Sequence, residues 1–385
     1  MAAAADMSDL VSRVDGIPSV AFHELEAELY FLKENIKNIR ADGEQLDVVM
    51  RDCVTRARDA GNVNLELLLR WHQIESNYCR VHNRNPDDVK REMRADLDKL
   101  KDTAYGAIDS LVESEAYPKH VTLCRLFSYL GCGYADIGEC DIASRMFRVC
   151  ENKGWSVQPA RTNVGHGLDE AHMAYFHYAM GRYYSHTVIP ASRRNRSSRD
   201  CCDKKLAIEN FELSKQHYTA NSSTEESYHL CEIAMCYLQM TRVYLDVCPI
   251  AIHWRLPPED IDKANNRLLQ AIAHYDEYEE KSGRRAVRVD ARIDWWQSLL
   301  YFRMYQTYTP TESASFKNIL LERARFYCER SVVNLEKSAY SDKPRIRHLF
   351  LEITKKILPQ PTPTDAEPED VVPPSTELSL GDTTS

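Results

Sequence analysis

Arginines form the groups of side chains in this sequence that are best suited to bind a charged ligand. The stretch SRRNRSSRD holds Arg193, Arg194, Arg196 and Arg199 within seven residues. A guanidinium binds a phosphate or a carboxylate through two parallel hydrogen bonds, so this stretch is a candidate anion- or partner-binding loop. The alternative interpretation is an insertion whose charges face the solvent.

A second group of arginines lies in the stretch GRRAVRVDAR, at Arg285, Arg288 and Arg292. Their spacings of three and four residues place them on one face of a helix. That face is a second candidate site for an anion or an acidic partner. In the alternative, the same arginines pair with Asp290, Asp294 or acidic residues of a neighbouring helix.

Histidine and cysteine spacings predict neither a catalytic site nor a metal site. The sequence contains no H-E-x-x-H, G-x-S-x-G, P-loop or dinucleotide-binding pattern. Its twelve cysteines form no C-x-x-C pair, and Cys124, Cys132, Cys140 and Cys150 lie eight or ten residues apart. Structural zinc sites have other spacings, so we expect these four to be buried, reduced thiols. The sequence therefore predicts a protein that is not an enzyme and needs no metal or cofactor.

The elements that would position the arginines follow a repeated pattern of large and small residues. Its best copy reads F-x2-L-G-x2-Y-x8-A-x3-F-x2-C, with packing residues Phe127, Leu130, Gly131, Tyr134, Ala143 and Phe147. Small residues at Gly131 and Ala143 allow two helices to approach closely. The pattern resembles the tetratricopeptide repeat, a helix–turn–helix unit that buries its apolar face only by stacking on neighbours.

The pattern recurs with longer connections. A second copy uses Gly181, Tyr184, Ala207 and Phe211, with fourteen extra residues in its turn, and a later copy uses Tyr237 and Ala264. Weaker copies begin at Trp71 and at the pair Trp295 and Trp296. We therefore expect an all-α fold, a superhelical array of about four or five tetratricopeptide-like helix–turn–helix repeats.

Composition divides the chain into four regions. Residues 1–19 are predicted to be a flexible N-terminus and residues 20–60 an N-terminal helical cap. The repeat array is predicted over 61–356, with a long helix over 86–114 and a capping helix in KPRIRHLFLEITKKIL. Residues 357–385 are acidic, rich in proline and without basic side chains, which predicts a disordered tail.

Charge and hydropathy exclude several classes of protein. A net charge of −9 over 385 residues argues against wholesale binding of nucleic acid or membrane, but not against a local basic groove. No apolar run reaches the roughly 18 residues needed to cross a bilayer, and the N-terminus lacks the features of a signal peptide. We therefore expect a cytoplasmic protein without a membrane partner, with the nucleus as the alternative compartment.

The order of the repeats is similar to that of the interferon-induced tetratricopeptide-repeat family, over about Val20–Lys355. A helical N-terminal region precedes a well-formed repeat at 127–150, and later repeats have stretched connections. The resemblance implies a basic channel that binds RNA 5′ ends, and a role in antiviral defence. In the helix equivalent to residues 174–184, the family favours a tryptophan and a lysine, and here His177 is the nearest polar residue. The family also favours an arginine beside the tyrosine that corresponds to Tyr237, and here the closest arginine is Arg242.

Two functions are compatible with these features. The leading prediction is a noncatalytic protein-interaction scaffold whose helical-repeat groove holds a peptide or helix of a partner protein. The alternative is an RNA-binding innate-immune effector, in which arginines hold phosphates and Tyr175, Tyr178, Tyr183 and Tyr184 stack on bases. No feature of the sequence predicts an oligomeric state.

Overall fold

The computed structural model describes residues 41–79, 86–109, 111, 119–153, 166–185, 203–221, 228–245, 256–283, 287–308 and 313–336. All regular secondary structure in this part of the chain is helical, so the prediction of an all-α chain is confirmed there. The helices are α1 (Ala41–Asp59), α2 (Val63–Cys79), α3 (Pro86–Ala107), α4 (Lys119–Asp136), α5 (Cys140–Asn152), α6 (His166–Tyr184), α7 (Lys204–Asn221), α8 (Tyr228–Leu245), α9 (Pro258–Ser282), α10 (Val287–Tyr308) and α11 (Ala314–Glu336).

Helices that follow one another along the chain pack as pairs. The pairs are α2 with α3, α4 with α5, α6 with α7, α8 with α9 and α10 with α11, and α1 packs on α2. We call α2, α4, α6, α8 and α10 the first helices, and their partners the second helices. Successive pairs contact one another through a second helix and the next first helix, and the first helices α2 and α4, α4 and α6, and α8 and α10 also pack on each other. Each pair therefore lies against its neighbours in chain order.

Two pairs are built on the same contact between a glycine and an aromatic ring. A methyl group added at Gly131 of α4 would lie 2.6 Å from the Phe147 ring of α5, and one at Gly181 of α6 would lie 2.7 Å from the Phe211 ring of α7. No side chain larger than hydrogen fits in either place. The two rings therefore pack directly on the helix backbone, which holds each pair close together.

The other predicted packing residues also lie in the core of the fold. Tyr184 is half-buried, and all the others are buried. The buried members are Phe127, Leu130, Tyr134, Ala143, Phe147, Ala207, Phe211, Tyr237 and Ala264. Burial of these apolar groups supplies the main stabilising free energy of each pair.

Short connections are fixed by residues with special backbone geometry. Gly138, between α4 and α5, has φ of +86°, and Gly283, which ends α9, has φ of +67°. Glycine adopts this left-handed conformation without the steric cost that a Cβ atom imposes. Pro257 and Pro258 stand at the start of α9, where a missing backbone N–H costs nothing.

The predicted long helix over 86–114 is wrong at its end. Helix α3 stops at Ala107, one residue after Gly106, which has no side chain to support the last turn. The Leu111 N–H then donates to the Ala107 carbonyl at 2.9 Å, and this turn buries the Leu111 side chain.

In the last pair, α10 and α11 approach each other closely at small residues. Ser298 Oγ of α10 donates to the Ala324 carbonyl of α11 at 2.7 Å, and Ser331 Oγ donates to the Ala291 carbonyl at 2.8 Å. Ala291 and Ser298 therefore lie close to α11, and the Tyr301 ring stacks on Tyr327 of α11 with centroids 5.7 Å apart. Trp295 and Trp296, which were predicted to begin this unit, are half-buried.

Several predictions lie outside the described residues. They are the flexible N-terminus, the first part of the N-terminal cap, the C-terminal capping helix and the acidic tail. Within the described part of the chain, no helix is both long and apolar enough to span a bilayer.

Candidate functional site

Most of the two predicted arginine groups lies outside the residues that the structure describes. Arg193, Arg194, Arg196, Arg199 and Arg285 lie outside the described residues. Arg288 and Arg292 lie in α10, and the Arg292 side chain is half-buried. Two other arginines, Arg125 of α4 and Arg182 of α6, make side-chain contacts between first helices.

Arg125 belongs to an aromatic cluster that joins α2, α4 and α6. The Tyr129 ring stacks on Trp71, with ring centroids 5.4 Å apart, and meets Tyr175 edge-on at 4.6 Å. The Arg125 guanidinium lies 4.3 Å from the Tyr175 ring centroid, and its Nε donates to the Tyr129 hydroxyl at 2.9 Å. Because Arg125 and Tyr129 are buried, this cluster fastens three first helices together through cation–π and ring contacts.

A second set of side chains, which we call the polar row, crosses α4, α6 and α8. It consists of Asp136 at the end of α4, Tyr178 and Arg182 of α6, and Gln239 of α8. Arg182 Nη2 donates to both carboxylate oxygens of Asp136, at 2.7 and 2.8 Å. Gln239 Nε2 donates to the Tyr178 hydroxyl over a longer 3.4 Å. These contacts connect three successive first helices by their side chains.

Two members of the polar row, Asp136 and Gln239, lie on the faces of their first helices that are turned away from the second helices. Asp136 stands five residues after Gly131, and Gln239 stands five residues after the buried Ala234. Five residues of α-helix carry a side chain to nearly the opposite face. Asp136 and Gln239 therefore hold the same position in two different helix pairs.

Part of the polar row is open to solvent. The side chain of Arg182 is 26% exposed and that of Asp136 is 22% exposed, and Gln239 is half-buried. Burial lowers the pKa of Arg182, but the Asp136 carboxylate, Cys132 and the neighbouring tyrosines together raise it by more, so the guanidinium stays charged. The row therefore presents a carboxylate, a guanidinium and an amide, which together supply hydrogen-bond donors and acceptors.

Several residues of these two clusters were not found by sequence reasoning. A signal was present for Gly133, because a glycine inside a helix marks a close approach, and a methyl group there would lie 2.7 Å from the Trp71 ring. Asp136, Arg182 and Gln239 carry no comparable signal. They are charged or polar residues in helices, the commonest kind of solvated side chain.

His177, the nearest polar residue to a lysine position of the family, does not face the polar row. Its ring stacks on His217 of α7 with centroids 5.5 Å apart, and its Nδ1 lies 3.0 Å from Asn210 Oδ1. Asn210 Nδ2 donates to a carbonyl, so its Oδ1 accepts and the His177 Nδ1–H donates. Burial lowers the pKa of His177 and His217 lowers it further, against the opposing effect of Asn210.

The lowered pKa of His177 predicts an acid-sensitive contact between α6 and α7. The unfolded chain, where histidine has a pKa of about 6.5, takes up the proton first. The contact of neutral His177 therefore contributes its full stability above about pH 6.5, and this contribution is lost as the pH falls towards the lower pKa of the folded state. When the pH is lowered from 7.5 to 5.5, we expect the melting temperature of His177→Phe to fall by less than that of the wild-type chain. An equal loss in both proteins would contradict the prediction.

The predicted thiols differ in their surroundings. Cys124, Cys132 and Cys150 are buried and free, and burial raises the pKa of Cys132 to about 12. Cys140, at the start of α5, is half-buried and disulfide-bonded, so the prediction of a reduced thiol is wrong for this residue. Among the described residues, no three histidine, cysteine or acidic side chains are grouped as metal ligands.

The outward arginines of the best repeat, Arg145 and Arg148, are exposed on α5. Tyr178 is buried, and Tyr175, Tyr183 and Tyr184 are half-buried. The Tyr178 ring lies 5.8 Å from Phe211 of its own helix pair, and the Tyr183 ring lies 5.5 Å from Phe147 of the preceding pair, so both rings take part in helix packing. Comparison with known proteins adds nothing to this geometry: no protein-family model and no curated sequence matches the chain.

Proposed function

We propose that this chain is a noncatalytic interaction scaffold. Its helix pairs form a tetratricopeptide-like superhelix, and the polar row binds an extended or helical segment of a partner protein. The observation that carries this proposal is the placement of accessible polar side chains on three successive first helices. Because the row offers both donors and acceptors, it suits the main chain of a peptide laid across the helices.

The charges of the polar row favour a protein partner over RNA. A surface that binds nucleic acid needs a surplus of cations along the phosphates. Here the partly exposed guanidinium of Arg182 is matched by the carboxylate of Asp136. The buried Glu232 of α8 adds a further acidic group, which contributes to raising the pKa of Tyr178. A peptide main chain, which is neutral, fits this balance better.

The aromatic rings lead to the same preference. A base stacks on a ring whose face is open. One face of Tyr129 is covered by Trp71, and Arg125 lies over Tyr175. These rings already have partners within the protein, so they support helix packing in preference to binding of bases.

Site-specific crosslinking in cells tests the proposal. A photoreactive phenylalanine analogue at Gln239, in the polar row, should form adducts with a partner protein. The same analogue at Glu209, which is exposed on the second helix α7, should form few. Adducts that are removed by protease and survive ribonuclease, at Gln239 and not at Glu209, are the expected result.

Two other outcomes would count against the proposal. Adducts of equal yield at both positions would show that the polar row has no special role. Adducts that disappear with ribonuclease would favour the RNA alternative, and in that case purified protein should shift a 5′-phosphorylated single strand with an affinity that falls steeply with salt.

A further inference from the structure

Helix α11 carries an exposed line of large apolar side chains, which we call the apolar stripe. Its members are Phe316, Ile319, Phe326 and Val333, whose exposed fractions are 38%, 46%, 53% and 50%. Ile319, Phe326 and Val333 are seven residues apart, or almost two turns of helix, and therefore lie along one line. Contiguous apolar surface of this kind is typical of an interaction site.

The apolar stripe is peculiar to α11. When the second helices are aligned on Ala143, Ala207, Ala264 and Ala324, the positions of Ile319, Phe326 and Val333 have small or polar residues elsewhere. Those exposed residues are Gly138, Arg145 and Asn152 at α5, Glu209 and Gln216 in α7, and Glu259, Asn266 and Ala273 in α9. The packing of helix pairs therefore does not require large apolar groups at these positions, and the stripe on α11 calls for another explanation.

Charges of opposite sign flank the apolar stripe on its two sides. From helix geometry, Glu322 and Glu329 lie on one side, and Arg323 and Arg330 on the other. All four are exposed. Three of these charges also have partners within their own chain: Arg330 pairs with Asp294 at 3.2 Å and lies 5.5 Å from the Phe326 ring centroid, Glu329 pairs with Arg325 at 2.8 Å, and Arg323 Nη1 donates to the Tyr301 hydroxyl at 3.1 Å.

This arrangement is complementary to itself in one orientation only. A two-fold axis parallel to α11 places the glutamates of one helix opposite the arginines of the other. An axis perpendicular to α11 makes the helices antiparallel and places like charges opposite each other. The first arrangement pairs both the apolar stripes and the opposite charges.

We propose that the apolar stripe binds a second copy of this chain, with the two α11 helices parallel and related by a two-fold axis. A single helix face buries less than the roughly 800 Å² per partner of a standard interface. The dimer should therefore be weak, with a dissociation constant on the order of micromolar. This surface lies on a second helix and is independent of the polar row.

Sedimentation velocity of the full chain, over concentrations on the order of 1 to 100 µM, tests the dimer. The wild-type chain should pass from monomer to dimer across this range, and Phe326→Asp should stay monomeric. Leu269→Asp is the matched control, because Leu269 is 56% exposed on α9 outside the stripe. That variant should dimerise like wild type, and both variants should keep the wild-type melting temperature.

Charge reversal tests the orientation. In a parallel dimer, Glu322→Arg and Arg323→Glu each place like charges across the interface, so each variant alone should dimerise less. An equimolar mixture should form heterodimers at least as well as wild type. Three results would overturn the proposal: a wild-type chain that stays monomeric throughout, a dimer that survives Phe326→Asp, and single reversals that strengthen association, as an antiparallel pair requires.

Discussion

Replacing Gly131 with leucine should unfold the best-formed helix pair at temperatures where the wild-type chain is stable. The first carbon of any side chain there would lie 2.6 Å from Phe147 Cζ, and two further ring atoms are within 2.9 Å. Because Phe147 is buried, its ring cannot swing aside into solvent. Overpacking of this kind typically costs about 1–3 kcal/mol, and more where no neighbour yields. The measurement is thermal unfolding followed by circular dichroism.

Two controls separate this clash from the general effect of replacing a glycine in a helix. A methyl group added at Gly106 in α3 would meet no atom within 4 Å, so Gly106→Ala should be neutral or stabilising by up to about 1 kcal/mol. Gly131→Ala should destabilise, and adding Phe147→Leu should cost less than the sum of the two single changes because the smaller side chain removes the clash. Additive effects, or an unchanged melting temperature for Gly131→Leu, would argue against this contact.

Contacts within a helix pair are the part of the fold that the sequence predicts best. Gly131 and Phe147, like Gly181 and Phe211, occupy fixed positions in a repeated spacing, and each glycine lies against its ring. The second pair keeps the contact although its connection is longer by fourteen residues. The spacing within each helix determines which side chains meet, since a surface connection tolerates added length at small cost.

The last pair shows where that reasoning fails. Trp295 and Trp296 are the largest apolar residues of α10, yet the packing against α11 uses Ala291 and Ser298. A serine whose hydroxyl donates to a backbone carbonyl lets two helices approach almost as closely as a glycine does. The sequence prediction began this unit at its largest side chains, whereas the small residues Ala291 and Ser298 make the close contacts with α11.

The polar row could not be predicted from the sequence, because its contacts join different repeats. Arg182 meets Asp136 across 46 positions, and Gln239 meets Tyr178 across 61. Such contacts depend on the angle at which one first helix crosses the next. The spacing of large and small residues reflects the packing inside a pair and does not determine the angle at which successive first helices cross.

Contacts between repeats nevertheless contribute much of the stability, and Trp71 is the residue that should show this most clearly. Its side chain is buried, stacks on Tyr129 of the next first helix and lies over Gly133. Truncation of a buried tryptophan to alanine typically costs about 3–5 kcal/mol. We therefore expect Trp71→Ala to lower the melting temperature strongly, whereas Trp296→Ala, at a half-buried position, should have a smaller effect.

Hydrogen exchange measures which helices lose stability in the Trp71→Ala variant. In an array of repeats, each unit is stabilised by its own packing and by its nearest neighbours. Helices α1 to α4 should therefore lose protection first, while α10 and α11, which have no contact with Trp71, should exchange as in the wild-type chain. Uniform loss of protection along the chain would mean that the helix pairs unfold as one cooperative unit, in which case repeat-by-repeat stability would be wrong for this protein.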